Sequence, residues 1–206
     1  MLKKLKIEEK LFYKKVKNIL SIDEVGRGCL AGPFWVGGLC FNISYFKKLK
    51  KIDIKDSKKL NFSKREKIFK LILKTKPKFK IIKYSNKTID KYGISYCFNK
   101  AVLKLVKYFN PDMVLIDGKK IKFIKNKIKK VKFIIKGDEK TISIGAISII
   151  TKYLRDIYMI KISKQINNYF LDKNKGYGSK EHIKQLKIYG PSKIHRLSFI
   201  KNFYKP

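Results

Sequence analysis

Three apolar runs along the chain each lead into an acidic residue. Ile19 to Asp23 is short and apolar and ends in acid; Met113 to Ile116 leads to Asp117-Gly118; Val131 to Ile135 leads to Gly137-Asp138. Runs of this length, bounded by turn residues, predict buried strands. Pro33 to Phe41, after a Gly-rich turn, predicts a strand next to the first, and Phe79 to Tyr84 predicts another. Helical spacing appears between them. Ser63 to Glu66 has the spacing of a capping box ahead of Ile68, Phe69, Leu71 and Ile72, which predicts a helix over Ser63 to Lys74. Tyr96, Ala101, Leu105 and Tyr108 fall near one face of a helix that stops before Pro111. Ile142, Ile144 and Ala146 alternate like a strand, but Ile150, Tyr153, Leu154, Ile157, Tyr158 and Met159 keep near-helical spacing. The whole stretch from Thr141 to Asn168 is read as helix. A Gly-Tyr-Gly loop, a helix over Ser179 to Tyr189 and an irregular tail follow. Strands grouped with long helices predict an α/β fold, a mixed sheet with helices on both faces and a helical C-terminal part. We read residues 1–206 as one domain, with an N-terminal extension over about 1–18 and a C-terminal segment from about 175.

The recurrence of acids at strand exits carries the chemistry. In an open α/β sheet the residues just past the strand ends meet at one edge, where ligands bind. A lone Asp beside a Gly most often caps a helix or closes a turn; three at the ends of neighbouring strands are another matter. Carboxylates gathered together resist simultaneous ionisation unless a hard, oxygen-preferring cation neutralises them, which points to Mg²⁺ or Mn²⁺. Two such ions roughly 4 Å apart activate water and stabilise the leaving oxygen of a phosphoryl displacement. Asp23 and Glu24 are consecutive, and neighbours on a regular strand face opposite sides. Either the strand ends there or Glu24 acts partly through its carbonyl.

The formal charge of +37 makes a polyanion the natural partner, with strongly salt-dependent binding. Lys dominates the basic residues, and Lys and Ile enrichment also follows from AT-rich codons, so only part of that charge is credited to binding. The four arginines, Arg27, Arg65, Arg155 and Arg196, are the more informative cations. Cys29, Cys40 and Cys97 are odd in number and widely spaced, which indicates neither a disulfide framework nor a cysteine zinc site and fits a reducing cytoplasm. No stretch resembles a signal peptide or approaches the roughly 20 apolar residues of a membrane span. His182 and His195 are not spaced as a metal pair and are read as structural or supporting.

These blocks together resemble the type 2 ribonucleases H, specifically the ribonuclease HII family. They are IDEVGRG over Ile22 to Gly28 with LAGP over Leu30 to Pro33, DSKKL over Asp56 to Leu60, IDG at Ile116 to Gly118, and KGD at Lys136 to Asp138 with Ser143 to Asp156. KGYGSKEH over Lys175 to His182, YGP at Tyr189 to Pro191, and His195-Arg196 complete the set. The resemblance runs from about Ser21 to Phe199. It implies a ribonuclease H-like sheet and an endonuclease that cuts the RNA strand of RNA/DNA hybrids and the 5′ side of ribonucleotides in duplex DNA, leaving 3′-hydroxyl and 5′-phosphate ends. It implies that Asp23, Glu24 and Asp117 are the main metal ligands and Asp138 the fourth catalytic carboxylate. Gly26, Arg27 and Gly28 match a loop that recognises a 2′-hydroxyl, and Tyr177 a tyrosine that packs on the sugar at an RNA-to-DNA junction. Ser57, Lys58 and Lys59 match a phosphate-contacting loop, and Arg196 is expected at backbone phosphate.

Three positions depart from that pattern: Cys29 in place of Pro, Gly145 within an Ala-rich helix, and Leu197 in place of a second Arg. Cys29 is expected to leave its loop more flexible than Pro would. Ribonuclease HIII, which adds an N-terminal binding domain, fits less well, because only 22 residues precede Asp23. A monomer is expected. The reading from another class is a non-catalytic basic protein that coats nucleic acid, which predicts binding without metal-dependent cleavage.

Overall fold

A computed structural model describes residues 7–54 and 61–204 of the chain. Ser57, Lys58 and Lys59 lie outside the described residues. The elements in order are α1 (Ile7–Tyr13), β1 (Ile19–Val25), β2 (Phe34–Phe41), α2 (Ile43–Leu49), α3 (Phe62–Lys74), β3 (Lys78–Tyr84), α4 (Asn86–Tyr92) and α5 (Ile94–Phe109). Then come β4 (Met113–Asp117), α6 (Lys122–Lys127), β5 (Val131–Ile134), α7 (Gly137–Lys140), α8 (Ile142–Ser163), α9 (Leu171–Asn174), α10 (Lys180–Tyr189) and α11 (Leu197–Ile200). The five strands form a mixed sheet in the order β3-β2-β1-β4-β5. The β3-β2-β1 side is antiparallel, and β4 and β5 run parallel to β1.

The sheet is buried on both faces, which is why its central strands read as continuous apolar runs. Alternation along β1 sends Ile19 to the face covered by α8 and Leu20 and Ile22 to the face covered by α5. In β4, Leu115 faces α8 while Val114 and Ile116 face α5. The same alternation puts Asp23 and Asp117 on the α8 side and Glu24 on the other.

Helix α8 approaches the sheet closely because of Gly37 on β2. A Cβ added there would lie 2.0 Å from Thr151 Oγ1 and 2.9 Å from Ile147 Cγ1. At its N-terminus α8 is held by α1. Ser21 Oγ donates to Ser143 Oγ (2.8 Å), and Ser143 donates from both Oγ and the backbone to Glu8 Oε1 (2.9 and 3.0 Å), all of it buried. A carboxylate at a helix N-terminus is favoured by the helix dipole. The N-terminal extension is therefore, over Ile7–Tyr13, a packed helix that contributes Leu11 to the core.

Several expectations shift. Helix α3 begins one residue earlier than the capping box implied, with Asn61 as its cap, accepting from Lys64 N at 2.9 Å. The buried face of α5 is Cys97, Phe98, Ala101, Val102 and Leu105, whereas Tyr96 and Tyr108 are exposed, their phenols left in water. The long C-terminal helical stretch is α8 only as far as Ser163, with Thr141 as its cap; a 3₁₀ turn over Asn167–Tyr169 follows. Strand β1 does not stop at Asp23 but continues in register through Val25, so Asp23 and Glu24 are regular strand residues opposite Gly37 and Val36. Asp138 stands on α7, past the end of β5 at Ile134. Among the described residues no helix is long and apolar enough to cross a membrane.

Gly37→Ala is expected to lower folding stability by about 1–3 kcal/mol, the usual cost of forcing extra volume into a packed core. A lower denaturant midpoint at unchanged slope would show it; an unchanged midpoint would mean that α8 can lift off β2 freely.

Candidate active site

Where β1 and β4 emerge beneath α8, an open cleft of about 380 Å³ is lined by Asp23, Glu24, Asp117, the Gly26–Gly28 loop, Arg65, Ser148, Lys152 and Tyr177. Asp23 is only 6% exposed. Its Oδ1 accepts from Glu24 N at 2.8 Å. Its pKa is pushed up to about 8, first by burial, then by the charge of Glu24 and, more weakly, Asp117; hydrogen bonds from Ser148 and the Glu24 amide oppose this only in part. Asp23 is thus held toward its neutral, protonated form unless an opposite charge joins it.

Asp117 is fixed by a backbone amide: Gly137 N donates to its Oδ1 at 2.6 Å. A Cβ on residue 137 would lie 2.7 Å from Ile144 and 3.2 Å from that carboxylate oxygen, so glycine lets α7 come this near. Glu24 Oε1 is paired with Arg27 Nε at 2.8 Å. Asp138 is the exception among the four expected acids. It is 3% exposed and lines a separate cavity of about 520 Å³ with Lys50, Asp53, Glu139 and Lys140, one residue beyond the amide that holds Asp117. Asp23, Glu24 and Asp117 therefore share one cleft, while Asp138 lines a different cavity. Among the described residues no three acidic, His or Cys side chains are gathered into a ready-made metal cage. The oxygen donors of Asp23 and Asp117 and the raised pKa of Asp23 nevertheless suit a hard divalent cation.

The two loops beside the acids are tied together. Gly26 has φ +83°, and a Cβ there would strike Arg155 Nε at 2.6 Å. Gly28 is different: nothing lies within 4 Å of a Cβ built on it, so no internal contact requires its small size. Tyr177, 39% exposed, sits between Gly176 and Gly178, with Gly176 pressed so closely on Ala31 that a Cβ would lie 2.2 Å from its carbonyl oxygen. Burial, and then the nearby Cys29, push the Tyr177 phenol up to about 12.

Beneath both loops lies Arg155, which donates to the carbonyls of Pro33 (2.9 Å) and Lys175 (3.0 Å) and to Cys29 Sγ (3.2 Å). Cys29 is fully buried, and its amide donates to Gly26 O at 3.4 Å, a bond that proline could not make. The residue at this position thus gives the loop one backbone contact that a proline would lack. Arg196 also differs from expectation. It is fully buried and donates to Gly32 O (3.0 Å) and Arg27 O (3.1 Å), which places it as a strut under the loop, out of reach of phosphate. Burial pushes its pKa down to about 10.

Sequence reasoning missed Ser148, Lys152 and Arg65 as parts of the cleft. Lys152 Nζ donates to Asp156 Oδ1 at 2.7 Å, and Arg65 Nη1 reaches Asp156 Oδ2 at 3.4 Å, so one buried acid aims two cations. The available signals were that Arg65 is one of four arginines and that Lys152 and Asp156 stand one helical turn apart.

The Asp23 shift has a definite sign. A carboxyl whose folded pKa lies above its unfolded value of 3.8 contributes stability that is present below that value and is lost as pH rises toward about 8. Asp23→Asn, which cannot ionise, is therefore expected to melt higher than wild type at pH 8 in the presence of a chelator, with the difference vanishing near pH 4. Identical melting at pH 8 would mean that Asp23 is not strained by its neighbours.

A family model for ribonuclease HII matches residues 20–202. A ribonuclease HII from Clostridium botulinum is 43% identical over 186 residues, which is 89% of this chain and 68% of that one. Among solved structures, that of the PCNA:RNase HII complex from Archaeoglobus fulgidus superposes with a TM-score of 0.77 at 23% identity, covering 91% of this chain and 97% of that one. The Bst-RNase HIII structure in complex with Mn²⁺ superposes with a TM-score of 0.67 at 19% identity, covering 89% and 67%. The mixed sheet with flanking helices is the fold of these neighbours. The chain belongs to the ribonuclease HII family, and its activity class is that of a metal-dependent endoribonuclease.

Proposed function

We propose that the protein hydrolyses the RNA strand of RNA/DNA hybrids and cuts on the 5′ side of ribonucleotides embedded in duplex DNA, leaving 3′-hydroxyl and 5′-phosphate ends. The observation that carries this is the buried Asp23 carboxylate, held against Glu24 and Asp117 in a cleft whose rim is the Gly26–Gly28 loop and Tyr177.

Asp23, Glu24, Asp117 and Asp138 would hold Mg²⁺ or Mn²⁺ at two sites, with Asp138 joining from beside the Gly137 amide that holds Asp117 and Glu24 exchanging Arg27 for a cation. Bound there, the ions supply water activation and neutralise charge on the leaving oxygen. The chain's own residues do the rest. The Gly137 amide keeps Asp117 oriented. Lys152 and Arg65, aimed by Asp156, face the phosphate, and Ser57, Lys58 and Lys59 are proposed to follow the backbone further along. Gly26, Arg27 and Gly28 let the main chain approach the sugar closely enough to read a 2′-hydroxyl, the group that distinguishes RNA from DNA. Tyr177 packs on the neighbouring sugar and selects the junction.

The test is incubation of a DNA duplex containing one ribonucleotide, and of a uniform hybrid, with Mg²⁺ or Mn²⁺. Cleavage is expected 5′ to the ribonucleotide, with Asp23→Asn and Asp117→Asn slower by more than about 100-fold, since even outer partners of metal ligands cost about 10 to 100-fold. Undiminished cutting by these variants would overturn the carboxylate chemistry. Salt-sensitive binding without cleavage by the wild type would return the protein to the class of basic coat proteins.

A further inference from the structure

Behind the Tyr177 loop lies a pair of buried histidines that the proposed reaction does not use. His182 Nδ1 is 2.8 Å from Tyr177 O, and His182 Nε2 is 3.0 Å from His195 Nε2. His195 Nδ1 in turn is 3.0 Å from Ser192 N and 2.8 Å from Ser192 Oγ. Both rings are closed off from water, and the ring of Tyr169 meets that of His195 edge-on at 4.7 Å.

The partners at the two ends settle where the protons sit. A carbonyl only accepts, so His182 Nδ1 carries hydrogen. A backbone amide only donates, so His195 Nδ1 is bare. With both rings neutral, His195 Nε2–H then donates to the bare Nε2 of His182. The line runs in one direction, from Ser192 N–H through His195 and His182 to the carbonyl of Tyr177, with one proton between the rings. Burial depresses both histidines, and His195 falls to about 4, in keeping with a neutral pair.

The far end of this line is joined to the other substrate-reading loop. Ala31 and His195 form an isolated antiparallel bridge; Gly32 N donates to Ile194 O (2.9 Å) and Arg196 N to Leu30 O (2.8 Å). The segment carrying His195 is thus stitched to the chain leaving the Gly26–Gly28 loop, while His182 grips the backbone of Tyr177.

We propose that His182 and His195 are positioning residues, which hold Tyr177 in register with the Gly26–Gly28 loop through the proton they share and thereby set selectivity for the RNA-to-DNA junction. This rests on the reading of Tyr177 given above. Neither ring lines the cleft, and His182 meets a cleft residue only at the Tyr177 carbonyl, so the pair acts on the site through the backbone of Tyr177.

Two substitutions at one position separate this role from simple packing. His195→Asn keeps an acceptor at the δ position for Ser192 but removes the donor to His182. His195→Gln places an amide donor at the ε position and restores it. The quantity read is the ratio of kcat/KM on a duplex with a single ribonucleotide to kcat/KM on a uniform hybrid. His195→Asn is expected to lower that ratio about tenfold, the scale of one lost buried hydrogen bond, and His195→Gln to recover most of it. In a Tyr177→Ala background the His195→Asn change is expected to have no further effect on the ratio, because coupled residues are non-additive. An equal drop in both backgrounds would overturn the proposal. ¹⁵N NMR of the wild type supplies a readout independent of activity and of any variant's folding. It should show His182 protonated on Nδ1, His195 on Nε2, and a coupling across the hydrogen bond between them; hydrogen on His182 Nε2 would overturn it. Failure of the wild type to cut either duplex would instead sink the substrate reading, with the NMR still deciding the relay.

Discussion

A carboxylate almost closed off from water, on the middle strand of the sheet, is the constraint around which this molecule is arranged. Asp23 lies under α8, opposite Gly37, on a face where its strand neighbours Ile19 and Ser21 are core. Burying a charge in such a place is costly unless something opposite accompanies it. The structure supplies only partial compensation from the chain, through Ser148 and one amide, and adds Glu24 and Asp117 beside it. Stability is given up locally, as is found where ionisable groups are set away from their ordinary pKa at functional sites.

That local cost is met by an ordered surround. α8 is the common wall of the cleft, and its position is set at three places along its length: by Glu8 and Ser21 through Ser143 at its start, by Gly37 against Thr151 in its middle, and by Arg155 beneath the loops farther on. Arg155 and Arg196 are both fully buried and bond mainly to backbone carbonyls. A guanidinium can satisfy several carbonyls from one planar group, whereas a lysine ammonium is a strongly hydrated point charge. This explains why arginine stands at these positions in a chain otherwise dominated by lysine.

Much of this was legible in the sequence, and the parts that were not share a cause. The strands were readable because a sheet covered on both faces needs unbroken apolar runs, and the acids that follow them stand out against that background. Asp23, Glu24 and Asp117 meet as their positions implied. Asp138 does not line their cleft, because it stands in a short helix, α7, that begins past the end of β5, and strand logic cannot see a turn of helix started by Gly137. Ala101 and Leu105 lie on the buried face of α5 as read, but Tyr96 and Tyr108 do not, since periodicity counts tyrosine as apolar even where it is exposed. Arg196 looked like a phosphate contact because charge on a sequence suggests surface; only the fold shows the ring of carbonyls it serves. Asn61 took the cap from Ser63 because several polar residues cluster there, and spacing alone does not rank them.

The single guanidinium of Arg155 binds the carbonyls of Pro33 and Lys175, so it ties the chain leaving the Gly26–Gly28 loop to the chain entering the Tyr177 loop. Such a surface is assembled before any nucleic acid arrives, and little ordering remains to be done on contact. Discrimination between nearly identical duplexes should then reside in how long each stays, with encounter governed by charge and much the same for all of them. An endoribonuclease built this way would spend its time on the duplexes it releases slowly, not on those it meets most often.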